Sequence, residues 1–221
     1  MIPDDAFAKW LQRPKHGRRK EWNSYLFMPY SPKLSDTIYL YTPDKFNHWV
    51  NVEWNAKIIS FNESPPVVEI PCEGKLNRVQ FDMACLHESN RLILHRLVSL
   101  EKSPDQNIEG AIDRWVLDAG LTIERIEVES LSRDDLELER KKDFISFIIT
   151  AKADPNLCYT DMVLDFIART PGVTIFQIQN KFSDIDPTTV IAIIGKLLML
   201  NKITANLKSR LLDRNLRLTP R

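Results

Sequence analysis

The stretch Lys75–Val98, "KLNRVQFDMACLHESNRLILHRLV", governs how the first half of the chain folds. Two runs, "RVQFDMACL" and "RLILHRLVSL", have strand-like lengths and apolar content, and the polar "HESN" between them supplies a turn. Asp82 stands inside the first run between apolar neighbours, where a carboxylate has no packing role. Either it pairs with a nearby cation, Arg78 or Arg96, or it serves as a ligand.

Just before this stretch, "PPVVEIP" is a further strand, joined to the first run by the turn "CEGK". After the breaker "KSPDQN", "IEGAIDRWVLDAG" places Ile108, Ile112, Trp115, Val116 and Ala119 at helical spacing, with Gly120 as a stop. "LTIERIEVESL" reads as the next strand. Upstream, a helix is expected from about Asp44 to Ala56, capped by Asp44, with Phe46, Trp49, Val50 and Trp54 on one broad face. Strands, a helix and a further strand make an α/β sandwich over residues 40–130. The charged "SRDDLELERKKDF" reads as a solvated helix or connector.

From about residue 155 the pattern becomes helical. "CYTDMVLDFIART" is amphipathic, "TIFQIQNKF" is a second helix, and "SDIDPTTVIAIIGKLLML" is a third, with Asp186 as N-cap and Pro187 at its first position. "NKITANL" and "DRNLRLTP" pair as a hairpin, so the last 65 or so residues suggest a winged helix. Its third helix offers only Thr188, Thr189 and Lys196 to a groove, so base reading is not expected. A helix apolar nearly all round is buried on both sides or docks on a partner. The hairpin and tail cations Lys202, Lys208, Arg210, Arg214 and Arg217 are candidates for binding phosphates.

The chain has 221 residues, 43% hydrophobic and 27% charged, enough for one large domain or two small ones. Lys+Arg and Asp+Glu both total 30, so only local charge asymmetry can direct the protein to nucleic acid. Three dispersed cysteines fit no disulfide framework, and no apolar run approaches a membrane span. A cytoplasmic protein is expected. One local asymmetry is "RPKHGRRK", with five Lys/Arg in eight residues, either a solvated arm or a phosphate-contacting segment through Arg13, Lys15, Arg18, Arg19 and Lys20.

Two carboxylates bear on chemistry. Glu53 falls on the apolar face of its helix, three residues after Val50 and four after Trp49, where it needs a partner. A metal-assisted phosphodiester hydrolase needs two or more oxygen ligands for Mg²⁺ or Mn²⁺ and a cation, usually Lys, beside the scissile phosphate. A helix carboxylate, a hairpin Asp and "[E/Q]-x-K" on the next strand supply those groups in restriction-endonuclease-like folds. A zinc reading of Cys85, His87 and His95 lacks a fourth ligand.

Taken in order, Glu53, "IISFNESPPVVEI", "VQFDMA" and "IDRWVLDAGLTIERIEVESL" resemble TnsA, the endonuclease subunit of heteromeric transposons. The resemblance covers roughly residues 40–221 and implies, after a basic N-terminal arm (1–39), a restriction-endonuclease-like α/β domain (40–150) and an all-α, winged-helix C-terminal domain (151–221). It also implies Mg²⁺ or Mn²⁺ held by Glu53 and Asp82, and 5′-strand cleavage at transposon ends in a prokaryotic cytoplasm. The implied partners are DNA, a DDE-type transposase subunit and an ATPase regulator; the alternative is an inactive architectural subunit. The strand after Asp82 departs from the pattern. "RLILHRLV" has no carboxylate or amide two residues before a Lys. His95 as a base and Arg96 as a fixed charge are the candidates there, with Lys102, Glu127 and Glu129 as groups that would have to migrate. Lys202 and Arg214 extend the expected DNA contacts into the C-terminal domain.

Overall fold

The structure, a computed structural model, describes residues 4–13, 26–101, 105–131, 135–151, 158–208 and 214–221, with side chains of 4–7 excepted. Its elements are α1 (Asp4–Leu11), β1 (Tyr30–Ser31), β2 (Asp36–Thr37), α2 (Pro43–Trp54), β3 (Ile58–Asn62), β4 (Val68–Cys72), β5 (Lys75–Val79), β6 (Met83–His87) and β7 (Leu92–Val98). There follow α3 (Gln106–Asp118), β8 (Thr122–Glu127), α4 (Leu136–Thr150), α5 (Thr160–Arg169), β9 (Val173–Thr174), α6 (Ile175–Lys181), α7 (Pro187–Met199), β10 (Ile203–Ala205) and β11 (Arg217–Pro220). The chain divides into two compact units, residues 1–49 with 57–132, and residues 50–56 with 133–221. An α/β part followed by a helical part, the coarse expectation, describes the chain.

In the first unit the central sheet has the order β3-β6-β7-β8. β6 and β7 form the expected hairpin through "HESN". The turn is closed by Asn90 N–H donating to His87 C=O at 2.8 Å and His87 N–H donating to Arg91 C=O at 2.9 Å. Asn90 takes φ +56°, a conformation Asn tolerates better than most side chains. β8 lies parallel to β7, and α3 is the crossover that a parallel neighbour requires. Asp105 caps α3 by accepting from Asn107 N–H. Gly120, at φ +66°, then ends it in the left-handed turn that a side chain resists.

Two local expectations change. The run "RVQFDMACL" is not one strand: β5 ends at Val79 and pairs only with β4 in a separate hairpin, and β6 begins at Met83. Asp82 therefore stands at a break between two strands, not within one. The cap of α2 is Thr42, whose hydroxyl accepts from Lys45 N–H at 3.2 Å, with Pro43 at the first helical position, where its missing donor costs nothing.

Side chains alternate across β7. Leu92 and Leu94 enter a core with Trp10, Ile70, Val79, Phe81, Ala84, Ala111, Ile112 and Val116, which lies on the α3 side. His95 faces the other way and meets His48 of α2.

In the second unit α4 to α7 surround a core of Phe144, Val163, Ile167, Ile178, Val190, Ile193, Ile194 and Leu197, with the three-stranded sheet β10-β11-β9 closing it. The stretch expected to be solvated forms α4, which buries Leu138, Phe144 and Ile145. Its apolar residues are spaced for one helical face, and charge on the other face hid them. α7 is buried from Thr189 to Met199 except at Ile191, which is half-buried, and Lys196, which is exposed. A Cβ on Gly195 would come within 2.9 Å of Phe144 Cδ1, so α7 and α4 approach over a bare glycine. Of the two readings for an all-apolar helix, burial within the unit is the one found.

Candidate functional site

Asp82 is held by two groups. Its Oδ2 accepts the Leu97 backbone N–H at 2.8 Å, while its own N–H donates to His95 C=O at 2.9 Å. The side chain thus continues the β6–β7 ladder by one rung, at the place where the backbone of β6 has not yet begun. Its Oδ1 lies 3.1 Å from Lys45 Nζ, on the first turn of α2. Neither Arg78 nor Arg96 is the cation; the partner comes from a helix far upstream in the chain.

The strand position where the resemblance expects a lysine splits into two environments. Arg96 points to the α3 side, where its Nη2 is 2.8 Å from Glu109 Oε1. Glu109 is also bound by Arg125, which reaches Asp113 as well, at 2.7 Å. These two carboxylates raise the pKa of the Arg125 guanidinium, against the opposing effect of its burial. Arg96 Nη1 is buried without a hydrogen-bond partner in this cluster.

His95 points to the α2 side, the side that supplies Lys45. Its Nδ1 is 3.0 Å from His48 Nε2 and 3.6 Å from Cys85 Sγ. Its Nε2 is buried, makes no hydrogen bond, and lies 3.5 Å from Glu124 Oε2. Only one tautomer set suits all three neighbours: His48 Nε2–H donates to His95 Nδ1, leaving His95 Nε2–H aimed at the Glu124 carboxylate. Burial drives the His48 pKa down to about 3, with His95 and Lys45 adding repulsion. Burial lowers that of His95 too, partly opposed by Glu124, and raises that of the Cys85 thiol. His95 is therefore neutral and engaged with another imidazole.

Glu53, 1% exposed, belongs to the α2 segment of the second unit and is not without a partner. Arg13 donates to Glu63 through Nε and Nη2, both at 2.7 Å, to Asp36 at 2.6 Å and to Thr37 C=O at 2.7 Å, so four of its five N–H donors are used within the chain. Lys15, Arg18, Arg19, Lys20 and Lys102 lie outside the described residues. Glu127 is exposed on β8, and Glu129 accepts from Ser99 Oγ at 2.8 Å and Leu100 N–H at 2.9 Å. Lys202 and Arg214 are exposed on the second unit.

The residues gathered at Asp82 do not suit a divalent cation. One carboxylate oxygen is bound to an ammonium and the other to a backbone donor. Among the described residues no group of three or more His, Cys, Asp or Glu is arranged to hold a metal. Sequence reasoning missed Lys45. Its only signal was a place in the first turn of the expected helix, which says nothing about what faces it. No helix among the described residues is long and apolar enough to cross a membrane. The fold class these observations define is a mixed α/β unit and a helical one. No protein-family model and no curated protein matches the chain.

Proposed function

We propose that this chain is a TnsA-like subunit of a heteromeric DNA-transposition machinery that holds transposon ends without cutting them. In this reading the first unit keeps a restriction-endonuclease-like fold, the second is a winged helix, and the partners are DNA, a DDE-type transposase and an ATPase regulator in a prokaryotic cytoplasm. The order of elements supports it: a hairpin, a crossover helix and a parallel edge strand follow a carboxylate in the order the resemblance implies. The observation that carries the non-cutting part is the occupation of Asp82 by Lys45 and Leu97 N–H. With it goes the placement of Arg96 on the opposite face of β7, bound to Glu109.

A second reading has one specific observation in its favour. Lys45 Nζ at 3.1 Å from Asp82 puts a lysine beside the carboxylate, where the strand lacks one. In that reading Lys45 stands in for the strand lysine and the chain cuts 5′ strands with Mg²⁺ or Mn²⁺. One experiment separates them. Labelled transposon ends are incubated with the chain and either metal, with and without the transposase. Binding without 5′-strand cuts in every combination is the expected result. Metal-dependent cuts abolished by both Asp82→Ala and Lys45→Ala would sink the architectural reading and establish the other.

A further inference from the structure

The small sheet of the second unit has two unlike faces. Val173, Ile203 and Leu218, each at most 2% exposed, point inward to the core. The register fixes what stands on the other face: Thr204 opposite Thr219, and Arg217 opposite Thr174. Thr204 and Thr219 hydroxyls meet at 2.7 Å, which places them on one side together. Extending the alternation of β11 one residue past its end puts Arg221 on that side. Arg221 N–H donates to Lys202 C=O at 3.2 Å, which continues the ladder and sets Lys202 beside Arg221.

The outward face therefore carries Lys202, Arg217 and Arg221 beside Thr174, Thr204 and Thr219, with no acidic side chain among these positions. All three cations are exposed, and none has an ion pair or side-chain hydrogen bond among the described residues. Lys202 and Arg221 stand opposite each other as like charges, which costs the sheet some stability. An anionic partner would recover it.

We infer that this sheet face binds the phosphate backbone of duplex DNA, through Lys202, Arg217 and Arg221, with the one hydroxyl of the Thr204–Thr219 pair that does not donate to the other as an added donor. The chemistry favours backbone over bases. Hydroxyls and cations are the groups that contact phosphate oxygens, and the face offers no aromatic ring on which a base would stack. Arg217 to Arg221 spans about 13 Å along the strand, roughly the rise of four base steps. Binding by this face is independent of sequence and of α7, which is buried. The choice of DNA as the polyanion rests on the proposed function, but the face acts whether or not the first unit cuts. The cleavage experiment and the following one therefore fail separately.

The test uses the full chain and two fluorescent duplexes of unrelated sequence, with anisotropy titrations between about 50 and 200 mM salt. In the variant Lys202→Gln/Arg217→Gln/Arg221→Gln, the slope of log K against log salt should shrink by about 2–3, near 0.9 for each phosphate no longer neutralised. Affinity should fall about tenfold or more, equally on both duplexes. The charge-keeping variant Lys202→Arg/Arg217→Lys/Arg221→Lys should retain the parent slope, which guards against a folding artefact. An unchanged slope and affinity in the neutral variant overturns the inference. So does a parent chain that ignores duplex at low salt or prefers vesicles of anionic lipid.

Discussion

The two sheets treat charge in opposite ways. Around β6, β7 and β8 charged side chains that approach the sheet meet their counterparts: Asp82 meets Lys45, Arg96 meets Glu109, and Arg125 meets Glu109 and Asp113. On the β9–β11 sheet, Lys202, Arg217 and Arg221 stand together with none among the described residues. Paired charge fixes positions within a fold, whereas unpaired like charge costs the fold and rewards a partner. Binding is therefore to be sought on the second sheet. The carboxylate that first draws the eye is bound up internally, and the plain hairpin near residue 220 offers the free electrostatic field.

The largest effect should come from removing a cation of the first unit, where charge is paired. Arg13 bonds Glu63, whose side chain is only 3% exposed, so Arg13→Ala leaves a buried carboxylate with its strongest partner gone. A loss of about 3 kcal/mol is expected, at the lower end for a broken buried pair because Arg13 itself is partly wet. Urea unfolding measures it. An unchanged midpoint would mean that the clamp does not contribute.

Of similar size is the response to acid. His48 and His95 both have folded pKa values below the ordinary 6.5, so the folded state resists protons that the unfolded chain accepts. Stability is then full above about pH 6.5 and is lost as pH falls towards the folded value, about 3 for His48. The folding equilibrium should weaken by up to about tenfold per pH unit per proton between roughly pH 6 and 4. In His48→Gln/His95→Gln that part of the slope should vanish. A double variant with the parent slope would refute the assignment.

Asp82 offers a finer probe of the paired sheet. Asp82→Asn keeps an oxygen for Leu97 N–H but loses the charge facing Lys45. With both side chains partly exposed, Lys45 at 27% and Asp82 at 19%, about 1 kcal/mol is expected. Asp82→Ala should cost about twice that, because the Leu97 donor is orphaned too. Equal losses in the two variants would show that the backbone bond contributes nothing. At the small end, neutralising Lys202, Arg217 and Arg221 should leave the unfolding midpoint within about 0.5 kcal/mol of the parent, or raise it slightly. A large loss there would mean that those cations have a structural role, and the contrast between the sheets would collapse.

Much of the local structure was legible. Asp186 before Pro187 announced the start of α7, and Asp186 Oδ1 does accept from Thr188 N–H at 2.8 Å. "HESN" announced the β6–β7 turn, and "DAG" the end of α3. Each of these signals acts over a few residues, through caps, turns and periodicity, which a linear reading can see. The break at Gln80–Asp82 was not legible, because "VQFDMA" has the same composition whether it pairs as one strand or bends between two hairpins. Nor was the burial of α4, whose Glu and Lys residues mask a packed face carrying Phe144. Around the candidate site the sequence pointed correctly to Asp82 as a residue needing a partner, but offered Arg78 and Arg96 in place of Lys45.

Which segments become helices and strands, and where most of them stop, follows from the chain alone, since those choices rest on neighbours within a turn or two. Other features belong to the folded molecule. Asp82 meets Lys45, His95 and Arg96 serve opposite faces of one sheet although adjacent in the chain, and three separated cations share an open face. Pairing across tens of residues is set by strand register and by which helix covers which face, and a one-residue slip in register would turn each of those side chains to the other side.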